Sequence, residues 1–370
     1  MERADDDRLW SNTPIDILEL ISSRLVGRDY IMFCVVCKSW RLPTLTPRPP
    51  PLTLHEYDSC INTPCLMTIY EERGEIEFFN PLYNAVTHKM NIPHELKGSR
   101  IRCAIKDWLL MSQGRRRMFF FNPITKVIIQ LPDIEEELEN QFPSWTFSCP
   151  PDSSSSDCFV VGFFIGGSPP LVCIIKVGDN IWTYHIFYDE DEGLFMCNNP
   201  VFFKNNSVYL LGNKGNLGIL SIEENSAEET PTWEFYWDSL PRRLRSSIEH
   251  VFTAEDVDNG GILVVFLTHE EGKVEVWRYN VIDENLEREQ ITSLDNRTLF
   301  VKKEASFLKP CIAPGLGNKI FFSMFHDNNK AVFYCLATRK YYSFNAAFSS
   351  SNCYKLDQPT PCIWIDPSYD

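Results

Sequence analysis

Glu77-Phe78-Phe79-Asn80-Pro81 is followed by Asn91-Ile92-Pro93, and Met118-Phe119-Phe120-Phe121-Asn122-Pro123 is followed by Gln130-Leu131-Pro132. The two stretches echo each other: an apolar run, an Asn-Pro turn, a second run, then an Ile-Pro or Leu-Pro stop. Asn122 stands 42 residues after Asn80. Pro cannot continue a central strand, and Asn favours the turn before it, so each copy reads as strand, turn, strand. Short strands recurring every ~40–50 residues have the period of propeller blades.

Downstream of the echo the same cadence continues. Cys158 to Phe164, Leu171 to Val177 and Ile181 to Phe187 read as consecutive strands, the first two split by Gly166-Gly167-Ser168-Pro169-Pro170. Pro200 to Phe203, Ser207 to Leu211 and Gly218 to Ile222 form a further group, with Asn213, Gly215 and Asn216 suited to left-handed turns. Gly261 to Leu267, Val274 to Tyr279, Lys319 to Phe325 and Ala331 to Leu336 follow, and Cys362-Ile363-Trp364-Ile365 makes a last strand. A period of about 42 residues over roughly 320 predicts about seven blades, with insertions at Ser153 to Ser156 and Glu223 to Thr230. An unclosed ring would leave two free strand edges. Cys362 to Ile365 is therefore expected to pair with Leu66 to Tyr70 or Ile76 to Phe79. Asn80-Pro81 and Asn122-Pro123 are expected to occupy equivalent turns of neighbouring blades.

Upstream, the pattern changes from strands to helices. Ile15, Leu18, Ile21 and Leu25 recur at helical spacing, and Ile17 widens the stripe. Thr13 suits the cap, Pro14 the first helical position and Asp16 a capping box; Gly27 ends the run. A second helical run from Asp29 places Tyr30, Phe33, Val36, Cys37 and Trp40 on one side. About forty residues bury too little surface to be secure alone, so these apolar faces call for a partner. Pro43, Pro47, Pro49, Pro50 and Pro51 then form a stiff joint. The chain thus divides into a helical module with an acidic tail over residues 1–45, a linker over 46–53 and a β-rich domain over 54–370.

Pro14, Asp16-Ile17-Leu18, Ile21, Arg24-Leu25, Asp29 and Val36-Cys37-Lys38-Ser39-Trp40-Arg41 resemble an F-box. That resemblance implies docking on a Skp-type adaptor, and through it on a cullin, with Pro14, Ile15, Leu18, Ile21, Leu25, Val36 and Trp40 facing the adaptor or pairing the two helices. The family opens with Leu-Pro where this chain has Thr13-Pro14, which removes one apolar contact. With the FFNP-type repeats, the Asn205 to Ile222 stretch and Cys362 to Ser368, the whole chain resembles a plant group in which an F-box precedes a kelch-like domain. The resemblance implies a substrate receptor of a ubiquitin ligase, the front binding the ligase and the propeller holding an unidentified target protein.

Composition narrows the alternatives. The chain has 370 residues, 44% of them hydrophobic and 13% aromatic, and the aromatic share favours strands. A net charge of −15 repels nucleic acid and anionic membranes, so neither is expected as a partner. Arg115-Arg116-Arg117 reads as a charged turn, and the acidic runs Glu135 to Glu137 and Asp189 to Glu192 as solvated loops. The opening MERADDDRLW predicts no signal peptide, and no apolar span is long enough for a membrane helix. Thirteen scattered cysteines then read as reduced cytosolic or nuclear thiols, and the Asn205 and Asn296 glycosylation patterns as accidents.

Motifs for catalysis are lacking. Cys34 and Cys37 have metal-ligand spacing but no second pair, and inside an apolar helix they pack as small hydrophobes. The seven histidines are dispersed; His185 in a strand pattern reads as a satisfied sheet histidine. No GxGxxG, P-loop or GxSxG occurs. No metal, cofactor or enzymatic activity is expected. Two rivals to the receptor are an interaction scaffold with a degenerate F-box, and a glycosidase built from paired carboxylates in the propeller channel.

Overall fold

The computed structural model describes residues 13–22, 40, 63–81, 85–138, 142–152, 158–164, 171–187, 197–203, 206–212, 214–222, 230–269, 273–311, 316–323, 332–343 and 362–366. A front helix, α1 (Ile15–Ser22), precedes a succession of short strands. The expected second front helix, the Cys34/Cys37 pair, the proline-rich joint and the acidic run at 189–192 lie outside the described residues.

The strands form six sheets among the described residues. Blade one runs outward from the C-terminal strand β25 (Cys362–Ile365) through β1 (Cys65–Tyr70) and β2 (Glu75–Asn80) to β3 (Ala85–Asn91). Blade two holds β4 (Ser99–Ile105), β5 (Trp108–Gln113), β6 (Arg117–Phe121) and β7 (Ile128–Gln130). Blade three follows with β8 (Ser144–Phe147), β9 (Phe159–Phe164), β10 (Leu171–Lys176) and β11 (Thr183–Ile186). Blade four holds β12 (Cys197–Phe203), β13 (Ser207–Gly212), β14 (Leu217–Ser221) and β15 (Thr232–Tyr236). A short helix, α2 (Arg242–Ser247), leads to blade five, made of β16 (Ile248–Glu255), β17 (Ile262–Thr268), β18 (Val274–Ile282) and β19 (Asn285–Ile291). Blade six has five strands: β20 (Arg297–Val301), β21 (Phe307–Pro310), β22 (Lys319–Phe322), β23 (Val332–Cys335) and β24 (Lys340–Ser343). There the chain folds inward from β20 to β21, then returns along the other edge of β20, so β20 and β22 run parallel.

The blade number is six, where the 42-residue echo predicted about seven. The echo measured only the two shortest repeats. The inner strands β4, β8, β12 and β16 begin 45, 53 and 51 residues apart, because long connections stretch the later blades. Fewer, longer repeats then fill the same length of chain.

Ring closure follows the expectation. β25 pairs antiparallel with β1, with Cys65 opposite Ile365, Leu66 opposite Trp364, Met67 opposite Ile363 and Thr68 opposite Cys362. The chain's last described strand thus completes its first blade and covers the inner edge of β1.

A blade is covered on both faces by its neighbours, and this explains the continuous apolar runs. In β17 every residue from Ile262 to Thr268 is buried. Leu263, Val265 and Leu267 pack toward blade six, while Ile262, Val264 and Phe266 pack toward blade four, following the two-residue period of a strand. Comparable clusters sit between each adjacent pair, including blades six and one, where Phe300 and Phe321 meet Trp364. The core is therefore a ring of interfaces rather than one centre.

The FFNP echo marks one structural position twice. Asn80 ends β2 and Asn122 follows β6, the third strands of blades one and two. Phe78 and Phe120 face the following blade, and Phe79 and Phe121 the preceding one. Both Asn side chains are buried. Asn80 Nδ2 donates to Thr63 Oγ1 at 2.6 Å, and Asn122 Nδ2 donates to Asp107 Oδ2 at 2.8 Å. Each ties the end of a third strand to the entry of the second. Asn122 Oδ1 also accepts from the backbone N–H groups of Ile124 and Thr125, both at 2.9 Å, which holds the turn.

Two smaller readings are met in part, since Arg117 belongs to a strand, Asn216 has no positive φ and Asn213 lies outside the described residues. Arg115 and Arg116 lie in the turn between β5 and β6, with Arg117 opening β6. Arg116 Nε donates to the Ile134 carbonyl, and Arg117 lies over the Phe119 ring. Gly215 takes φ +76°, and a Cβ there would come 2.3 Å from Leu240 Cγ, so the β13–β14 turn requires glycine.

Candidate functional site

Two places on the molecule present groups for binding. The first is the front helix. Pro14 precedes it without needing a hydrogen-bond donor, and its carbonyl accepts from Leu18 N at 3.1 Å, closing the first turn. Asp16 lies in that turn, where a carboxylate meets the positive end of the helix dipole. Of the predicted residues, Leu18 is 2% exposed and Ile21 half-buried, so they form the inward side. Pro14 is exposed, Ile15 is 51% exposed and Ile17 43% exposed, so apolar surface also faces outward. Trp40 is half-buried. Leu25 and Val36 lie outside the described residues.

The second is the centre of the ring. A cavity of about 320 Å3 is walled by all six blades, with Arg102, Trp145, Val201, Thr253, Leu308 and Asp366 each coming from a different one. Its wall is stitched where blades six, one and two meet. Ala104 N donates to the Glu304 carbonyl at 3.1 Å, and Asp366 N to the Lys106 carbonyl at 2.9 Å. Two of the acids there have ammonium neighbours: Lys309 Nζ lies 2.7 Å from Asp366, and Lys302 Nζ 3.6 Å from Glu304.

Arg102 differs from these. The pairing of β4 with β5 shifts between Ile101 and Cys103, so Arg102 is the extra residue of a bulge and is aimed out of the alternating pattern. Its Nε donates to Ser112 Oγ at 2.7 Å. Burial, reinforced by the nearby Arg100, pulls its pKa below the ordinary guanidinium value. Among the described residues no carboxylate pairs with it.

The family follows from comparison. Residues 10–42 match the F-box domain, and residues 78–345 match the KIB1-4 beta-propeller. The chain belongs to the KIB1-4 beta-propeller family. The matched span begins within β2 and ends just after β24, so the closing pair β1 and β25 lies outside it. F-box/kelch-repeat protein At1g57790 of Arabidopsis thaliana is 25% identical over 97% of this chain and 95% of its own length. F-box/kelch-repeat protein At3g18720 of the same plant is 30% identical over 70% of this chain and 65% of its own. Among solved structures, the chain is similar to a functionally unknown protein from Desulfotomaculum acetoxidans over 79% of this chain and 98% of that one, at 12% identity and a TM-score of 0.38. The plant F-box and propeller resemblance read from the motifs is thus the family found.

The chemistry expected of other residues is also placed. His185 lies in β11 opposite Val172, and burial lowers its pKa, as for a histidine held neutral in a sheet. Burial pushes the Cys103 and Cys173 thiols up, which suits packing rather than reaction. Thr298, third residue of the Asn296 pattern, is fully buried and its hydroxyl donates to the Leu316 carbonyl. No group of three His, Cys, Asp or Glu suited to a metal occurs among the described residues, and no helix among them is long and apolar enough to cross a membrane.

The motif reading missed the central cavity. Its residues come from six blades far apart in sequence, and no local motif joins them. The available signal was the pair Arg100 and Arg102 interleaved with apolar residues in Ser99 to Ile105.

Proposed function

We propose that this chain is the substrate-receptor subunit of a Skp–cullin–F-box ubiquitin ligase, working in the cytoplasm or nucleus. The observation that carries the reading is the pairing of an F-box match at residues 10–42 with a closed propeller behind it. In this reading the front module docks on a Skp-type adaptor. Ile15 and Ile17, exposed on α1, supply apolar contact, with Pro14 beside them, while Leu18 and Ile21 hold the module together. Leu25, Val36 and Trp40 complete the docking and helix-pairing set. The relatives named as F-box/kelch-repeat proteins support the same division of labour.

The chain performs no bond-making step itself. It raises the effective concentration of a bound target protein beside the ligase, which converts a bimolecular encounter into a local one. A rigid propeller serves this because its blades fix one another, while their connecting loops vary at small structural cost. The test is purification of the tagged chain from plant cells, with and without residues 1–45. The full chain is expected to retain adaptor and cullin, and the truncated chain to lose both while keeping its target. Absence of adaptor from the full-length sample would reject the reading.

A further inference from the structure

The charges in the central cavity are unevenly matched. Asp366 has Lys309 beside it at 2.7 Å, whereas Lys302 is 3.6 Å from Glu304, which offsets its charge but gives its buried Oε2 no hydrogen bond. Arg102 has only the Ser112 hydroxyl, on its Nε, leaving the two terminal guanidinium nitrogens of a half-buried cation to be met from elsewhere. Lys303, exposed on the turn joining β20 to β21, and Lys106, just after β4, add two further cations to the same cavity wall. A guanidinium presents its terminal N–H groups as a fork that matches the two oxygens of a carboxylate. Desolvating such a cation without a counter-ion costs free energy that a bound anion returns.

The bulge between Ile101 and Cys103 strengthens this assignment. Without it Arg102 would alternate into a blade interface or the wall of a regular ladder; with it, the residue lies on the cavity wall. We propose that the central cavity is a binding site for a carboxylate, gripped by Arg102 with Lys303 assisting. The cavity, about 320 Å3, is at the lower end of the range for small-ligand pockets of roughly 300–1,000 Å3, and fits a small organic acid or one acidic side chain of a bound polypeptide. Glu255, Glu304 and Asp366 line the same space, so a singly charged carboxylate is favoured there over a doubly charged phosphate. The assignment is independent of adaptor docking, because it concerns the propeller alone.

The test is titration of the full chain, followed by calorimetry and thermal melting, with butyrate, butyramide, inorganic phosphate, and capped tripeptides carrying central Glu or Gln. Saturable binding of butyrate or the Glu peptide is expected, weakening as salt rises, with the neutral partner of each pair at least tenfold weaker. Preference for butyrate points to a free acid, and preference for the Glu peptide to a polypeptide side chain; either supports the site. Arg102→Gln should reduce the affinity at least tenfold. Arg102→Lys, which keeps the charge and the stem but not the fork, should give a smaller loss and serves alone if the Gln variant does not fold. Equal binding of acid and amide, tighter binding of phosphate than of either carboxylate, unchanged affinity in a folded Arg102 variant, or no carboxylate binding to the wild type would each overturn the proposal.

Discussion

Leu66 and Trp364 sit directly opposite each other across β1 and β25, almost 300 residues apart in the chain. Both are fully buried, and the Trp364 ring meets Phe300 edge-on at 5.0 Å in the seam between blades one and six. The last described strand therefore acts as a fastener for the ring. Truncating a buried Trp to Ala costs about 3–5 kcal/mol, so Trp364→Ala should lose that much in denaturant unfolding. Trp364→Phe keeps an aromatic ring in the seam and should lose less. Deleting residues from Cys362 onward should lower the melting temperature and cause aggregation through the bared β1 edge. An unchanged melt for the deletion would show that the ring closes some other way.

A second seam is fastened by charge. Asp256 is fully buried, with Arg297 Nη1 at 2.7 Å, Arg278 Nε at 3.0 Å and Asn259 Nδ2 at 3.1 Å, so it joins blades five and six. Burial pushes this carboxyl up, but the hydrogen bonds from Arg297, Arg278 and Asn259 outweigh it and hold the pKa below the ordinary carboxylate value. A depressed pKa contributes stability that is fully present above the unfolded value, about 3.9, and is lost as pH falls through the lower folded value. Asp256→Asn removes the buried counter-ion and leaves Arg297 with the exposed Asp258 and Asp295 and Arg278 with the exposed Glu289, which costs up to about 3–5 kcal/mol at neutral pH. The gap between wild type and variant should stay constant from about pH 5 to 8 and narrow below about pH 4. Chemical denaturation across that range checks both the size and the sign.

The repeated asparagines predict paired effects. Asn122→Ala removes the acceptor for two backbone N–H groups and the donor to Asp107, and should cost about 1–3 kcal/mol. Asn80→Ala removes the equivalent tie to Thr63 in blade one and should cost a similar or smaller amount. Equilibrium unfolding of both variants measures this. Values near zero for both would mean that the Asn-Pro echo reflects ancestry of the repeat and not a mechanical need of the turn.

Much of the propeller was legible because its signals are local. Two buried faces make uninterrupted apolar strands such as Ile262 to Thr268, and turns need Asn, Gly or Pro at fixed offsets, so both leave marks a few residues long. Ring closure was legible too, because Cys362 to Ile365 is an apolar strand with no partner near it in sequence. Blade number was not, since the repeat period measured at Asn80 and Asn122 is shorter than the later ones. Nor was the fifth strand of blade six, where the chain's return past β20 depends on packing and not on a local pattern. The cavity escaped for a related reason: Arg102 gains its meaning from a one-residue slip against β5, and from Lys303 and Asp366 arriving from other blades. On α1, spacing identified the apolar set, but only burial separates Leu18 from Ile15.

The most direct test of the account is titration of a purified Skp-type adaptor against the wild-type chain and an Ile15→Asp, Ile17→Asp double variant. Burying an isoleucine is worth about 1.5–3 kcal/mol, and each 1.4 kcal/mol is tenfold in affinity, so the pair should shift binding by about a hundredfold or more. Saturable binding by the wild type is expected, with that loss in the variant and the propeller melt unchanged. No binding by the wild type at high adaptor concentration, or a variant that binds as the wild type does, would contradict adaptor docking through α1.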